Sequence, residues 1–150
     1  MTEPASLPSA TARFSLPLLF PGQAQREFAV NEAFARCDIL LHATVSEEIS
    51  TPPADAADGE AWLVGAAATG DFADRDGMIA ARCFGQWMFI APHDGMRLFD
   101  RSTRREFLFS GGWLRPQVID APTSGAVVDA EARITIGAIL DVLRNNGIVE

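Results

Sequence analysis

A chain of 150 residues with 48% hydrophobic side chains has material for one modest core, so a single domain with appended segments is expected. The net charge of −8, with twelve basic residues that are all arginine, argues against sequence-independent binding to nucleic acid and against docking on anionic lipid, which both need a basic surface. Two distant cysteines, Cys37 and Cys83, make neither a disulfide framework nor a zinc site. With no signal-like opening and no bilayer-length apolar run, cytoplasmic synthesis without membrane insertion is expected.

Residues 1–20 are predicted to form an extended N-terminal arm. Met1 to Thr11 is rich in Ala, Ser and Pro, and Pro17 and Pro21 disfavour helix at the residues before them. Phe14, Leu16, Leu18, Leu19 and Phe20 make the arm apolar, so it must pack either on its own domain or on a neighbouring subunit. A domain over residues 21–115 then begins with a helix from Gln23 to about Val45, uninterrupted by Pro or Gly. One stripe of that helix runs Val30, Phe34, Cys37, Leu41, Thr44, and a second set, Phe28, Ala35 and Ile39, lies nearly opposite. Two apolar sets imply burial on both sides, within one domain or between subunits. Glu32 and Arg36 have the spacing of a helical ion pair.

Thr51-Pro52-Pro53 to Asp58-Gly59 reads as a turn-rich connector. Strands are predicted at Ala61 to Val64, Met78 to Phe84, Trp87 to Ala91, Met96 to Phe99, Glu106 to Phe109 and Trp113 to Leu114, with hairpin turns at Gly85-Gln86 and Gly111-Gly112 and a long loop from Gly65 to Gly77. The expected fold class is α+β: arm, long helix, a small antiparallel sheet of hairpins and a short C-terminal helix. Trp62, Trp87 and Trp113 each follow a glycine turn, a faint sign of a repeated hairpin. Residues 116–128 form a Pro- and Gly-bearing linker, and residues 129–150 the closing helix, capped by Asp129 and ended by Gly147. Ala132, Ile136, Ile139 and Leu143 follow four-three-four spacing along it. A seam with Ile at consecutive core positions favours three or more strands, hence a trimer or pentamer, although the same face would also serve to cover its own domain.

No catalytic constellation emerges. His93-Asp94 lies in an Ala-Pro-His-Asp-Gly turn with no nucleophile placed beside it, and His42 falls on the polar side of the helix. Asp71, Asp74, Asp76 and Gly77 resemble part of a calcium loop, but Phe72 and Cys83 stand where ligands are required, so backbone-bonding turn aspartates are the expectation and no metal or cofactor is assigned. Arg101, Arg104 and Arg105 read as a solvated hairpin tip. Trp62, Trp87 and Trp113 are core anchors first and a flat platform for sugar rings second.

The segment Leu16-Pro17-Leu18-Leu19-Phe20-Pro21-Gly22-Gln23-Ala24-Gln25-Arg26-Glu27, followed by Asn31-Glu32-Ala33, resembles the opening of a phage-related domain family, L-P-x-L-x-P-G-Q-A-Q-K-E with an N-E-A pair, found in alphaproteobacterial prophages and gene transfer agents. Thr51-Pro52-Pro53, Trp62-Leu63-Val64-Gly65, Ala68-Thr69-Gly70, Asp76-Gly77, Ile79-Ala80, Gly85, Trp87 and Ala91-Pro92 extend the likeness to about Phe109. Arg26 replaces the usual Lys, Val30 a common His and Met96 a common Trp. The resemblance implies a virion-type particle protein, a head spike or tail fibre that aids attachment to a capsulated cell, working with capsid, spike or tail partners and without enzyme activity. The oligomer-interface set expected from the apolar arm, the second face of the long helix and the C-terminal seam is Phe14, Leu16, Leu18, Phe20, Phe28, Ile39, Ile136, Ile139 and Leu143. The competing expectation is a stand-alone glycan-binding module using Trp62, Trp87 and Trp113, and the third a small hydrolase using His93.

Overall fold

The computed structural model describes residues 11–13, 16, 18, 26–121, 129–146 and 148–149. The fold is α+β, with two helices and two mixed four-stranded sheets where a single antiparallel sheet was expected. Helix α1 spans Arg26–Leu40. The strands are β1 (Thr44–Val45), β2 (Glu48–Ile49), β3 (Ala61–Val64), β4 (Ile79–Cys83), β5 (Gln86–Ile90), β6 (Arg97–Asp100), β7 (Arg105–Phe109) and β8 (Trp113–Leu114). Helix α2 spans Ala130–Asn145.

One sheet has the order β1-β6-β7-β8 and the other β2-β3-β4-β5. All six strands predicted from alternation and turn signals are present to within a residue or two, and they pair as antiparallel hairpins. The two strands missed are the parallel ones. β1 pairs with β6 in the register Thr44↔Phe99, and β2 with β3 in the register Glu48↔Leu63. The extended stretch 44–49 thus gives one edge strand to each sheet. It also explains why α1 stops at Leu40 rather than Val45. His42 turns into the left-handed region at φ 57°, and Val45 leaves the helix pattern to enter the core. Tertiary pairing overrides a helical propensity worth only tenths of a kcal/mol per residue, roughly.

The sheets face each other across one core that takes Ala61, Leu63, Ile79, Ala81 and Ile90 from one and Val45, Leu98 and Phe107 from the other, with Ile39 of α1 at its edge. Period-two alternation turns Val64 and Ala80 to the opposite face of the second sheet. That face is closed by the loop 65–77. A 3₁₀ turn, Gly70–Phe72, buries Phe72 completely, edge-on to Trp87 at 5.0 Å and Phe89 at 5.9 Å. The loop is held by Asp76, whose carboxylate accepts hydrogen bonds from Ala67 N at 2.8 Å and Ala68 N at 3.1 Å. This is the turn role expected of those aspartates.

The β4–β5 turn is Phe84-Gly85, one residue earlier than read from the sequence, because Cys83 pairs with Gln86. Both turn residues have positive φ, 52° and 70°, the primed geometry that matches strand twist. The aromatic at the first position hid the turn, since Asn or Gly is the usual signal there.

Candidate functional site

The described arm residues pack on their own chain. Thr11 Oγ1 donates to Asp38 Oδ1 at 2.7 Å, and Arg13 N donates to Asp38 Oδ2 at 2.9 Å. The Arg13 guanidinium then donates to the carbonyls of Asp38 (3.2 Å), Ile39 (2.7 Å) and His42 (3.0 Å). A cation on the last carbonyls of α1 satisfies acceptors with no helical partner and complements the helix dipole. Gly59 lets the arm come this close, for a Cβ there would sit 2.9 Å from that of Ala12. Nothing in residue spacing marks Arg13 or Asp38 for this, because the two are 25 residues apart and the contact is tertiary.

The residues expected at an oligomer interface separate into five groups, the last of them on α2. Phe14 and Phe20 lie outside the described residues. Leu16 is half-buried and Leu18 buried. Ile39, 2% exposed, belongs to the core of its own chain and is unavailable to a neighbour, a correction caused by the early end of α1 and the packing of its last turn under the arm. Phe28 is 68% exposed, beside an apolar groove lined by Leu18, Phe84, Trp87 and Met88. The first predicted stripe of α1 is also corrected: Cys37 and Leu41 are exposed, while Asn31, Ala35, Asp38 and Ile39 form the buried face.

On α2 the predicted cap is present, with Asp129 Oδ1 accepting from Ala132 N at 2.9 Å. Ile136 and Ile139 of the seam are 43% and 53% exposed, Leu143 is half-buried, and Val142 extends the apolar stripe at 59%. Leu140, on the flank of the stripe, is the buried residue of the helix. The last turn is tied to its surroundings. Arg105 Nη1 donates to Arg144 O at 3.1 Å, and Arg144 Nη2 donates to Ile119 O at 2.7 Å.

The tryptophans are structural in the first instance. Trp62 is 5% exposed, which removes it from any sugar platform, and its ring meets Trp87 edge-on at 5.7 Å. Trp87 is half-buried between Phe72 and the Arg82 guanidinium. Trp113 is half-buried in the other sheet and donates from Nε1 to Gly77 O at 2.8 Å, so the three do not mark a repeated unit.

His93 and Asp94 occupy a turn: His93 O accepts from Met96 N at 2.9 Å and Asp94 Oδ1 from Gly111 N at 2.8 Å. Cys83 lines a cavity of about 200 Å³ between the arm, α1 and β4. Burial first, and the negative charges of Asp58 and Asp38 next, push its thiol up to about 11 against the lowering effect of Arg13, so it stays protonated and unreactive at neutral pH. Among the described residues no group of three or more His, Cys, Asp or Glu side chains is placed to hold a metal ion, and no helix is long and apolar enough to cross a membrane.

At the β6–β7 tip, Arg104 and Arg105 of the basic cluster form a concave surface with α2. Arg104, Arg105 and Arg144 line an open cavity of about 670 Å³ together with Thr103, Asn145 and Asn146. Asp100, 2% exposed, shapes the tip by accepting from Ser102 N and Oγ, both at 2.8 Å, and from Thr103 Oγ1 at 2.9 Å.

A family model described as "Protein of unknown function (DUF2793)" matches residues 30–114, which runs from within α1 to the end of β8 and leaves α2 and the arm outside. No curated protein matches the chain.

Proposed function

From a chain that belongs to the DUF2793 family, we propose a structural component of a phage-like particle: a head spike or tail fibre of a gene transfer agent or prophage, made in the cytoplasm, assembled as a trimer or pentamer with other particle proteins, and contributing to attachment to the host surface or capsule. The observation that carries the reading is the open apolar stripe of α2, with Ile136, Ile139 and Val142 facing away from the chain that bears them. A lone domain gains nothing from such a surface, whereas a symmetric oligomer buries it against copies of itself. The Leu16 to Glu27 motif supports the particle setting by resemblance. No enzymatic role enters the proposal, and esters, phosphoesters and polysaccharides should all survive incubation with the protein unchanged. The stand-alone glycan module on tryptophans loses support, because its platform would need Trp62 at the surface.

Light scattering on the full chain tests the assembly. A closed oligomer that Ile136→Asp dissociates, with each subunit keeping its cooperative melt, supports it; a clean monomer at high concentration refutes it. Particles lacking the protein should attach to host cells less well, and normal attachment would leave a purely architectural role.

A further inference from the structure

The cavity at the β6–β7 tip combines features that a solvated surface loop does not need. The chain carries a net charge of −8, yet among the described residues no Asp or Glu lines this cavity, and Arg104, Arg105 and Arg144 do. Asp100, the nearest acid on the tip, is turned inward and occupied by three donors from Ser102 and Thr103. Arg105 is fixed in place by donating to the carbonyl of Arg144, and Arg144 by donating to the carbonyl of Ile119 and pairing with Asp141 at 3.6 Å. Arg104 makes no ion pair or side-chain hydrogen bond among the described residues. It is held at φ 59°, a left-handed conformation that costs any residue with a Cβ and that glycine would adopt freely. A strained arginine without a partner, at the rim of a cavity lined by two further arginines, is poor design for stability and good design for an anion.

The rest of the lining narrows the class of anion. Asn145 carries an amide that suits neutral hydroxyl groups, whereas the Thr103 hydroxyl donates to Asp100 and the Asn146 amide to Val142 O. Phe99 also lines the cavity and is 38% exposed, an apolar face for the C–H side of a sugar ring. The chain's overall negative charge repels long phosphate polymers, which require many basic contacts to hold them. The geometry points to a binding site for an acidic saccharide, with Arg104 and Arg105 engaging the carboxylate of a uronic-acid unit and Phe99 and Asn145 meeting the ring and its hydroxyls. The biological source of that saccharide as a surface polymer rests on the attachment reading above; the site itself does not.

Calorimetry of the purified full chain with oligogalacturonate, against neutral maltohexaose and single-stranded oligothymidylate of equal length, tests the site. The acidic saccharide should bind, more weakly as salt is raised, and the neutral one should not. Arg104→Gly should weaken binding about tenfold or more, the loss expected for a charge-assisted contact. The same variant should melt at or above the wild-type temperature, because glycine relieves the strained φ. Arg104→Lys should recover part of the affinity. Absence of oligogalacturonate binding, equal binding by Arg104→Gly, or tighter binding of oligothymidylate would each overturn the proposal. Failure of the attachment reading looks different: particles lacking the protein would adhere normally while the purified chain still bound the acidic saccharide in an Arg104-dependent way.

Discussion

Helix α1 keeps Asn31, Ala35, Asp38 and Ile39 buried beneath the arm and above the sheets, whereas α2 buries Leu140 on the flank of its stripe and leaves Ile136 and Ile139 open. The sequence pattern points the other way. α1 scarcely segregates its apolar residues, while α2 carries the regular seam. The difference lies in what each helix is tied by. α1 is fixed by polar tertiary contacts, the Asp38 carboxylate to Thr11 and Arg13 and the Arg13 guanidinium to the helix end, so a poor apolar stripe suffices. α2 has a good stripe, and among the described residues its last turn is tied by Arg105 and Arg144 while Ile136, Ile139 and Val142 of the stripe stay exposed. Amphipathicity reports that a helix face wants cover. It does not say that its own chain provides the cover.

The sharpest break of this comparison is a matched pair of truncations. Ile39→Ala should cost about 2–5 kcal/mol in chemical denaturation, because its cavity opens at the edge of the shared core. Ile139→Ala should stay within about 0.5 kcal/mol of wild type in subunit stability, as exposed substitutions do, while weakening any self-association. Equal losses would mean that α2 is as integral as α1. Next in size is Asp38→Ala, which strands the Thr11 hydroxyl and the Arg13 amide and should cost about 1–3 kcal/mol. Limited proteolysis should then cut within residues 11–18 faster than in wild type. An arm that remains protected would show that Arg13 on the carbonyls of α1 is enough to hold it.

What the sequence disclosed follows the same line. Local signals were sufficient for β3 to β8, where alternation and turns act over a few residues, and for the Asp129 cap, whose donor is three residues away. The Glu32–Arg36 pair, at 2.8 Å, belongs to the same class. Long-range contacts were not legible. β1 and β2 are two-residue parallel strands with no periodicity of their own, and Val45 read as helix because its β6 partner lies 55 residues away in the sequence. Phe72 sat in a small acidic stretch that looked like open loop, yet it is the fully buried plug of the second sheet. At the candidate site the arginines of the tip were visible, but their juxtaposition with Arg144, Asn145 and Phe99 depends on where α2 returns to the sheet.

A smaller effect should separate the helices again. Asp129→Ala removes the acceptor for Ala132 N and should cost about 1 kcal/mol, confined to the first turns of α2. Hydrogen exchange should quicken at residues 131–135 and leave the sheets unchanged. A matching loss of protection in β6 and β7 would show that α2 unfolds together with the sheet it touches.

The smallest effect is expected from Cys83, on the closed α1 side, and it is confined to alkaline pH. The chain has no Lys and no Tyr, so few side chains titrate there. Burial, then Asp58 and Asp38, raise the Cys83 thiol from 9.0 to about 11, with Arg13 pulling the other way. The sign follows from proton counts. Between 9.0 and about 11 the unfolded chain has lost this proton and the folded chain has kept it, so rising pH favours unfolding. Below 9.0 the contribution is fully present, and above about 11 it is gone. Because the thiol is only partly buried, solvent screening keeps the loss small. Melting temperature measured across this window should fall more steeply in wild type than in Cys83→Ala. Superimposable wild-type and Cys83→Ala profiles would mean that the cavity beneath the arm admits water freely, and that α1 is held less tightly than its hydrogen bonds imply.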